Sequence, residues 1–199
     1  MAARSTGGQV YIRDIDSDNL EIVRANTLLG GTNLNGVVGS NVVCIDVEAG
    51  SLDIQRRVQA GNIVYLEANG DVTVGANITV TSSPGGEAGI TSENGDIVDA
   101  GGKVTAPSLA LSADGDIGVD SSGSASPLSL GVSDLAADAG GDINLENDRD
   151  LTVEDSLRLK SGTVDGVTAG GDINLATDGE LTVTTNLEAD GDICLDVDE

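Results

Sequence analysis

The heptapeptide AGGDINL occurs at Ala139–Leu145 and again at Ala169–Leu175. Two looser copies, ADGDIGV at Ala113–Val119 and ADGDICL at Ala189–Leu195, lie on either side of this pair. Every copy joins a glycine and an aspartate to a triplet that begins and ends with an apolar residue. Such internal repetition is typical of proteins built from stacked structural units.

A glycine at each corner sets the length of the repeat, which is about 20 residues, as from Gly171 to Gly191. Longer intervals contain segments rich in Ser, Gly and Pro, which predict inserted loops near 82–89, 121–127 and 161–166. The corner glycines are Gly30, Gly50, Gly70, Gly95, Gly115, Gly141, Gly171 and Gly191.

Apolar and polar residues alternate within each repeat, and this period of two predicts short strands that bury one face. No segment shows the spacing of an amphipathic helix. In the last two repeats the apolar pairs are Ile143 with Leu145, Leu151 with Val153, Leu157 with Leu159, Ile173 with Leu175, Leu181 with Val183, and Leu187 with Ala189.

Strands this short cannot bury their apolar side as isolated hairpins, but stacked copies can. The sequence therefore predicts an all-β fold, a right-handed parallel β-helix (β-solenoid) with about 20 residues and three short strands per coil and roughly eight to nine coils. We expect a single domain over 1–199, with an irregular first coil at 1–29 and regular coils from 30, as a fragment of a longer chain.

Composition excludes several classes of function. The formal net charge is −25, from 34 acidic and 9 basic residues, which argues against nucleic acid and anionic membranes as partners. No apolar stretch is long enough for membrane insertion, and the N-terminus lacks the pattern of a signal peptide. Tyr11 and Tyr65 are the only aromatic residues, so the core must be aliphatic. Cys44 and Cys194 are expected to be small buried residues.

Aspartates follow the corner glycines in six successive repeats. Two interpretations are open: the carboxylates cap backbone amides at the corner, or they form a ladder that binds cations. The residues are Asp71, Asp96, Asp116, Asp142, Asp172 and Asp192, with Ser51 in the equivalent position one repeat earlier.

The segment DIDSDN places carboxylates at Asp14, Asp16 and Asp18, the spacing that opens a calcium-binding loop. Asn19 stands where that loop has glycine, and Ala25 stands where it has a bidentate glutamate. Both a Ca²⁺ site and a solvated acidic turn are therefore open interpretations. No cofactor is required by the sequence.

An enzyme is not expected. The chain has no histidine, so it lacks the nucleophile–base pairs that histidine supplies. Two tyrosines and nine cationic residues do not suggest an assembled carbohydrate site, although a carbohydrate-active β-helix enzyme stays a remote alternative.

The repeats GGDINLENDRDLTVEDSLRL and GGDINLATDGELTVTTNLEADGDICL resemble the β-helical repeats of filamentous haemagglutinin-like exoproteins, which are exported by two-partner secretion. The resemblance covers Gly95–Glu199 best and is weaker over Gly30–Asn94. It implies a non-catalytic structural or adhesive segment of a large secreted bacterial surface protein. Its location would be extracellular or on the outer cell surface, and its partners host or bacterial cell-surface ligands.

A second interpretation is a self-assembling filament subunit that stacks end to end, as bactofilin-like polymers do. The final residues GDICLDVDE show no polar capping element, and an open coil leaves backbone groups free to pair with another molecule. This alternative would place the chain in the cytoplasm.

Overall fold

A computed structural model of the chain describes residues 1, 3–16, 19–25 and 34–198. These ranges contain no α-helix, and none of them could cross a membrane as a helix. The strands are β1 (Ala3–Ser5), β2 (Val10–Asp14), β3 (Leu20–Ile22), β4 (Arg24–Ala25), β5 (Leu34–Asn35), β6 (Val37–Gly39), β7 (Val42–Val47), β8 (Leu52–Ile54), β9 (Val58–Ala60), β10 (Ile63–Ala68), β11 (Val72–Val74), β12 (Ile78–Val80), β13 (Glu87–Ser92), β14 (Ile97–Asp99), β15 (Lys103–Ala113), β16 (Ile117–Val119), β17 (Leu128–Ala139), β18 (Ile143–Asn147), β19 (Leu151–Val153), β20 (Leu157–Arg158), β21 (Thr163–Val164), β22 (Val167–Ala169), β23 (Ile173–Asp178), β24 (Leu181–Val183), β25 (Leu187–Ala189) and β26 (Ile193–Asp198).

Twenty-two of these strands form one long sheet, in which each strand pairs in parallel with its equivalent in the next repeat. One ladder runs β3–β8–β11–β14–β16–β18–β23–β26. A second runs β2–β7–β10–β13–β15–β17–β22–β25, and a third begins β1–β6–β9–β12–β15. The prediction of an all-β fold of parallel strands is confirmed, and the architecture is consistent with a β-solenoid.

The core is a continuous aliphatic cluster enclosed by the ladders. Ile143 pairs with Ile173, and Leu145 pairs with Leu175, so like residues stack on like residues. All four are buried. Because similar aliphatic side chains recur at each inward position from one strand to the next, the enclosed space is narrow and regular. It needs no aromatic side chain to fill it.

One predicted core pair is wrong. Leu157 and Leu159 were expected inside as the third strand of their repeat, but they lie outside the main core in a second, smaller apolar cluster. The strand that takes the expected place is β22, whose Val167 and Ala169 pair with Leu187 and Ala189. Leu157 and Leu159 instead belong to an insertion that has its own apolar contacts.

That insertion, residues 156–165, is hereafter called the arm. It was predicted to contain a loop near 161–166, but β20 and β21 pair within it as an antiparallel hairpin. Leu157, Leu159 and the buried Val164 pack against Ala110 and Ala136 on the outer side of β15 and β17. The arm therefore folds back along the outside of the stack.

The two ends of the stack differ in exposure. Residues 1–29, expected to be irregular, contain β1, β2 and β3, which pair in parallel with the next repeat. Val10 and Ile22 in these strands are buried. At the opposite end Ile193 and Leu195 are 44% and 43% exposed. The equivalent residues of the preceding repeat are Ile173 and Leu175, and they are covered because β26 lies over them.

A bulge interrupts the first ladder at Gly118. Ile97 pairs with Ile117 and Val98 pairs with Val119, so Gly118 is an extra residue between two paired positions. Its φ is +78°, in the left-handed region that glycine adopts without steric cost. A Cβ built on Gly118 would overlap the carbonyl oxygen of Asn144 in the next repeat. Only glycine fits this contact.

Candidate functional site

The corner aspartates form a continuous hydrogen-bonded ladder, hereafter called the aspartate ladder. The Oδ1 atom of Asp116 accepts a hydrogen bond of 2.7 Å from the backbone N–H of Asp142, and Asp142 accepts one of 2.8 Å from Asp172. The carboxylates do cap amides, but each caps the amide of the next repeat rather than one at its own corner. The remaining links join Asn19 to Ser51, Ser51 to Asp71, Asp71 to Asp96, Asp96 to Asp116, and Asp172 to Asp192.

The glycine before each aspartate has a separate role. A Cβ built on Gly141 would overlap Oδ1 of Asp116, and one built on Gly171 would overlap Oδ1 of Asp142. The glycine leaves the space that the carboxylate of the preceding repeat occupies. The Gly-Asp pair therefore repeats because each residue needs the other one repeat away.

The ladder offers little chelating geometry. One oxygen of each linking carboxylate already accepts a backbone hydrogen bond, and neighbouring carboxylates lie about one strand spacing apart, ~4.8 Å. Within the described ranges, no group of three or more His, Cys, Asp or Glu side chains is placed to hold a metal ion.

We expect the ladder to respond to ionic strength rather than to a particular ion. Raising NaCl from about 0.01 M to about 0.15 M should raise the melting temperature, because salt screens repulsion between exposed carboxylates. Calcium chloride and EDTA at matched ionic strength should leave the melting temperature unchanged in differential scanning calorimetry. A specific increase with Ca²⁺ that Asp142→Asn abolishes would contradict this expectation.

The proposed calcium loop is only partly described. Asp14 ends β2, and its Oδ1 accepts a hydrogen bond of 3.2 Å from the backbone N–H of Asp16, which makes a local turn. Asp18 lies outside the described residues. The side chain of Asn19 belongs to the aspartate ladder.

Both tyrosines lie on one outer face of the second ladder. Tyr11 pairs with Cys44, and Cys44 pairs with Tyr65, so the three side chains follow one another along a single row. The same row continues through Gly89 and Ala110. Side chains in equivalent register positions of a parallel ladder point to the same side. The row thus has large aromatic side chains at one end and small residues at the other.

The arm covers the small end of this row. A Cβ on Gly89 would lie 2.8 Å from the carbonyl oxygen of Arg158 and 3.2 Å from Cα of Leu159. The absence of side-chain bulk at Gly89 and Ala110 therefore lets the arm lie flat on the sheet. Tyr65 stands directly beyond the covered segment, so the arm forms one wall of the space around the tyrosines.

A polar row runs beside the tyrosine row. Asp46 pairs with Arg13 on one side and with Glu67 on the other. Lys160, at the tip of the arm, places Nζ 2.9 Å from Oδ2 of Asp46 and 2.8 Å from Oε1 of Glu67. Burial lowers the pKa of Lys160, but the hydrogen bonds to Glu67 and Asp46 and the negative charges of these residues together outweigh burial and raise it. Lys160 thus stays an ammonium ion that ties the arm to two neighbouring strands.

Two adjoining cavities open along these rows, and together they are called the outer cleft. The apolar half, about 580 Å³, is lined by both tyrosines with Val42, Cys44 and Ile63, among others. The acidic half, about 530 Å³, is lined by Arg13, Asp46, Glu48, Glu67, Glu93 and Lys160, and by Val47. Arg13, Asp46 and Lys160 belong to both halves. Each volume lies in the range of small-ligand sites.

The outer cleft was not predicted from the sequence. One signal was available in the sequence. In VVCIDV at Val42–Val47 and IVYLEA at Ile63–Ala68, apolar residues occupy positions on both faces of the strand. Such strands are usually covered on both sides, which here reflects the core beneath and the cleft above.

The phenol of Tyr65 is held in its neutral form. Its hydroxyl donates a hydrogen bond to Oε1 of Glu87. Burial, and then this hydrogen bond, raise the pKa of Tyr65 well above the usual tyrosine range. Because the folded pKa lies above the unfolded value of about 10, the contribution to stability is complete below pH 10 and is lost as pH rises further.

We expect a Tyr11→Phe variant, in which Tyr65 is the only tyrosine, to show no tyrosinate absorbance up to about pH 11. Adding Glu87→Ala should lower the midpoint toward the ordinary value, because the hydrogen bond and the nearby charge are removed. The measurement is ultraviolet difference spectroscopy during alkaline titration. An ordinary midpoint in the Tyr11→Phe protein would contradict the hydrogen bond.

The two cysteines differ in environment. Cys44 is buried, as expected, and burial raises the pKa of its thiol. Cys194 was also expected to be buried, but it is exposed on β26. The equivalent residue of the preceding repeat is Asn174, whose side chain lies on the outer side of the ladder. The thiol therefore points away from the core.

The fold and the cleft together define an all-β protein of stacked parallel strands, in which an inserted arm bounds the outer cleft. Comparison of the chain with family models, with curated proteins and with solved structures finds no match.

Proposed function

We propose that this chain is a non-catalytic structural and adhesive segment of a large secreted bacterial surface protein. In this proposal the strands form a right-handed solenoid of eight to nine coils with three strands per coil. The observation that carries the adhesive part is the outer cleft, because it brings both aromatic residues of the chain to one cavity on the outer face of the sheet. The resemblance of the repeats to filamentous haemagglutinin-like exoproteins supports an extracellular location.

A rigid stack suits display. Its continuous aliphatic core and backbone ladders hold outward residues at fixed spacings, so a cleft on one face keeps its geometry without further support. The arm adds a wall that a regular repeat lacks. A binding surface placed on such a scaffold loses little conformational entropy when it engages a ligand.

Cell binding tests the proposal. Fluorescently labelled protein should bind to epithelial cells or to bacterial cells in flow cytometry, and Tyr11→Ala should reduce that binding by about tenfold. The matched control is Arg56→Ala, an exposed residue outside the cleft, which should leave binding unchanged. Absence of binding to both cell types, or equal binding by all three proteins, would overturn the adhesive function.

A second candidate is end-to-end self-assembly, which the exposed apolar residues of the final repeat favour. Ile193, Leu195 and Val197 would be covered if a further strand paired with β26. This candidate predicts filaments whose length grows with protein concentration in electron microscopy. Leu195→Asp should abolish them, whereas a monomer at all concentrations would eliminate the candidate.

A further inference from the structure

We propose that the outer cleft binds a basic peptide segment: one ammonium or guanidinium group reaches Glu67, and a neighbouring apolar side chain packs on Tyr11. This inference rests on the proposed adhesive function, because it assigns a ligand class to the same cleft. Four features of the cleft support it: an unpaired carboxylate oxygen, the net charge, the bound ammonium group of Lys160 and an apolar surface.

The first feature is an unpaired carboxylate oxygen. Glu67 is only 7% exposed, and its Oε1 accepts a hydrogen bond from Lys160. Its Oε2 is buried and has no hydrogen-bond partner among the described residues. The hydroxyl of Thr91, at the paired position on the next strand and 8% exposed, is likewise buried and unpartnered. Leaving a buried charged oxygen without a donor is costly, so a ligand that supplies N–H groups gains affinity there.

The second feature is charge. The acidic half contains the carboxylates of Asp46, Glu48, Glu67 and Glu93 against the two cations Arg13 and Lys160, which leaves two net negative charges. The whole chain carries −25. This field attracts cationic ligands and repels anionic ones over a Debye length, about 8 Å at physiological salt.

The third feature is that the protein itself already places an ammonium group in the cleft. Lys160 reaches Asp46 and Glu67 from the arm, 93 residues away from Glu67 in sequence. The cleft thus accepts an alkylammonium ion, with carboxylate oxygens on two strands as acceptors. A ligand cation would displace Lys160 from Asp46 and Glu67, with the carboxylate of Glu93 beside it.

The fourth feature is the apolar half. Tyr11 is 66% exposed, which is unusual for the large side chains of this chain, and it adjoins Val42 and Ile63. An aromatic ring beside carboxylates receives both an aliphatic side chain and a cation over its face. Since the two halves share Arg13, Asp46 and Lys160, a ligand that fills both must carry an apolar group next to a cation. A basic peptide has this composition.

Fluorescence anisotropy tests the inference with a fluorescein-labelled peptide of three Lys-Leu units. Maltohexaose serves as a competitor, and a fluorescein-labelled peptide of three Glu-Leu units serves as a second probe. The basic peptide should bind, maltohexaose should not displace it, and the acidic peptide should not bind. Glu67→Gln and Tyr11→Ala should each weaken binding by about tenfold.

Two variants separate a specific site from general attraction to an acidic protein. Glu146→Gln removes one exposed carboxylate outside the cleft and should change affinity by less than about twofold. Lys160→Ala removes the internal competitor for Asp46 and Glu67, so it should tighten peptide binding. A structural role alone would not produce this increase, and the increase can be measured even if Glu67→Gln fails to fold.

Several results would overturn the inference. They are absence of binding by the basic peptide, equal binding by all variants, weaker binding by Lys160→Ala, equal binding by the acidic peptide, or displacement by maltohexaose. The cell-binding experiment separates the proposed adhesive function from the proposed ligand class. Cell binding that depends on Tyr11, without peptide binding, would mean that the ligand class is wrong while the adhesive function stands. Loss of both would remove the adhesive function as well.

Discussion

Gly118→Ala is expected to lower the free energy of unfolding by about 3–5 kcal/mol, a large effect for the replacement of one hydrogen by a methyl group. Two costs add. The φ of +78° at Gly118 costs a residue with a Cβ roughly 1–2 kcal/mol. The new Cβ would also overlap the backbone carbonyl of Asn144, and relieving that overlap requires β16 and β18 to separate.

Gly123 provides the matched control. Its φ is also +78°, but a Cβ there would have no neighbour within 4 Å. Gly123→Ala should therefore cost only about 1–2 kcal/mol, from backbone conformation alone. Urea denaturation followed by circular dichroism gives both values. Equal effects for the two substitutions would mean that close contact between repeats at Gly118 does not contribute to stability.

Gly141→Ala is expected to destabilise the protein by about 2–4 kcal/mol through the aspartate ladder. The added Cβ would displace the Asp116 carboxylate and break its hydrogen bond to the N–H of Asp142. An amide of the ladder would then lose its charged acceptor. Asp116→Ala alone should cost about 1.5–3 kcal/mol, because it removes the same hydrogen bond.

The double variant distinguishes this explanation from a general loss of backbone freedom. With Asp116→Ala in place, the Cβ at Gly141 no longer meets a carboxylate, so the second substitution should cost much less than it does alone. A coupling energy of about 1–3 kcal/mol is expected from the four urea denaturation curves. Strict additivity would show that the glycine and the carboxylate of the preceding repeat act independently.

The sequence was sufficient to predict an all-β chain of stacked parallel strands, because each local signal agrees with the others. Alternation predicted the strands, and the spacing of Gly-Asp pairs predicted the register in which Ile143 pairs with Ile173. The hydrogen bonds of the ladder were harder to anticipate. Turn chemistry suggested an aspartate that caps its own corner, whereas the register places the next repeat's amide closer to it.

The arm could not be predicted because its local pattern equals that of a core strand. Leu157 and Leu159 alternate as inward residues do. Their place is decided by Gly89, Ala110 and Ala136, small residues on the outer face of earlier repeats that leave room for the arm. Such tertiary contacts override local periodicity, and nothing in the segment itself records them.

The outer cleft was missed for a related reason. Its tyrosines, its acidic row and Lys160 come from three separate regions of the chain, and only the register of β2, β7 and β10 together with the path of the arm unites them. The carboxylates of the cleft could not be singled out in the sequence, because the chain has 34 acidic residues and any one of them is weak evidence for a site. The unusual apolar outer positions were the stronger signal.

The arm also determines how the molecule comes apart. In a stack where each repeat contacts only its neighbours, terminal repeats can peel away one after another. Lys160 joins Glu67 across 93 residues, and Leu159 lies on Gly89. A force that pulls the first repeats away must therefore also break the contact between the arm and Glu67. This long connection makes the middle of the stack yield as one cooperative block, and it slows assembly because distant segments must meet before the arm can dock.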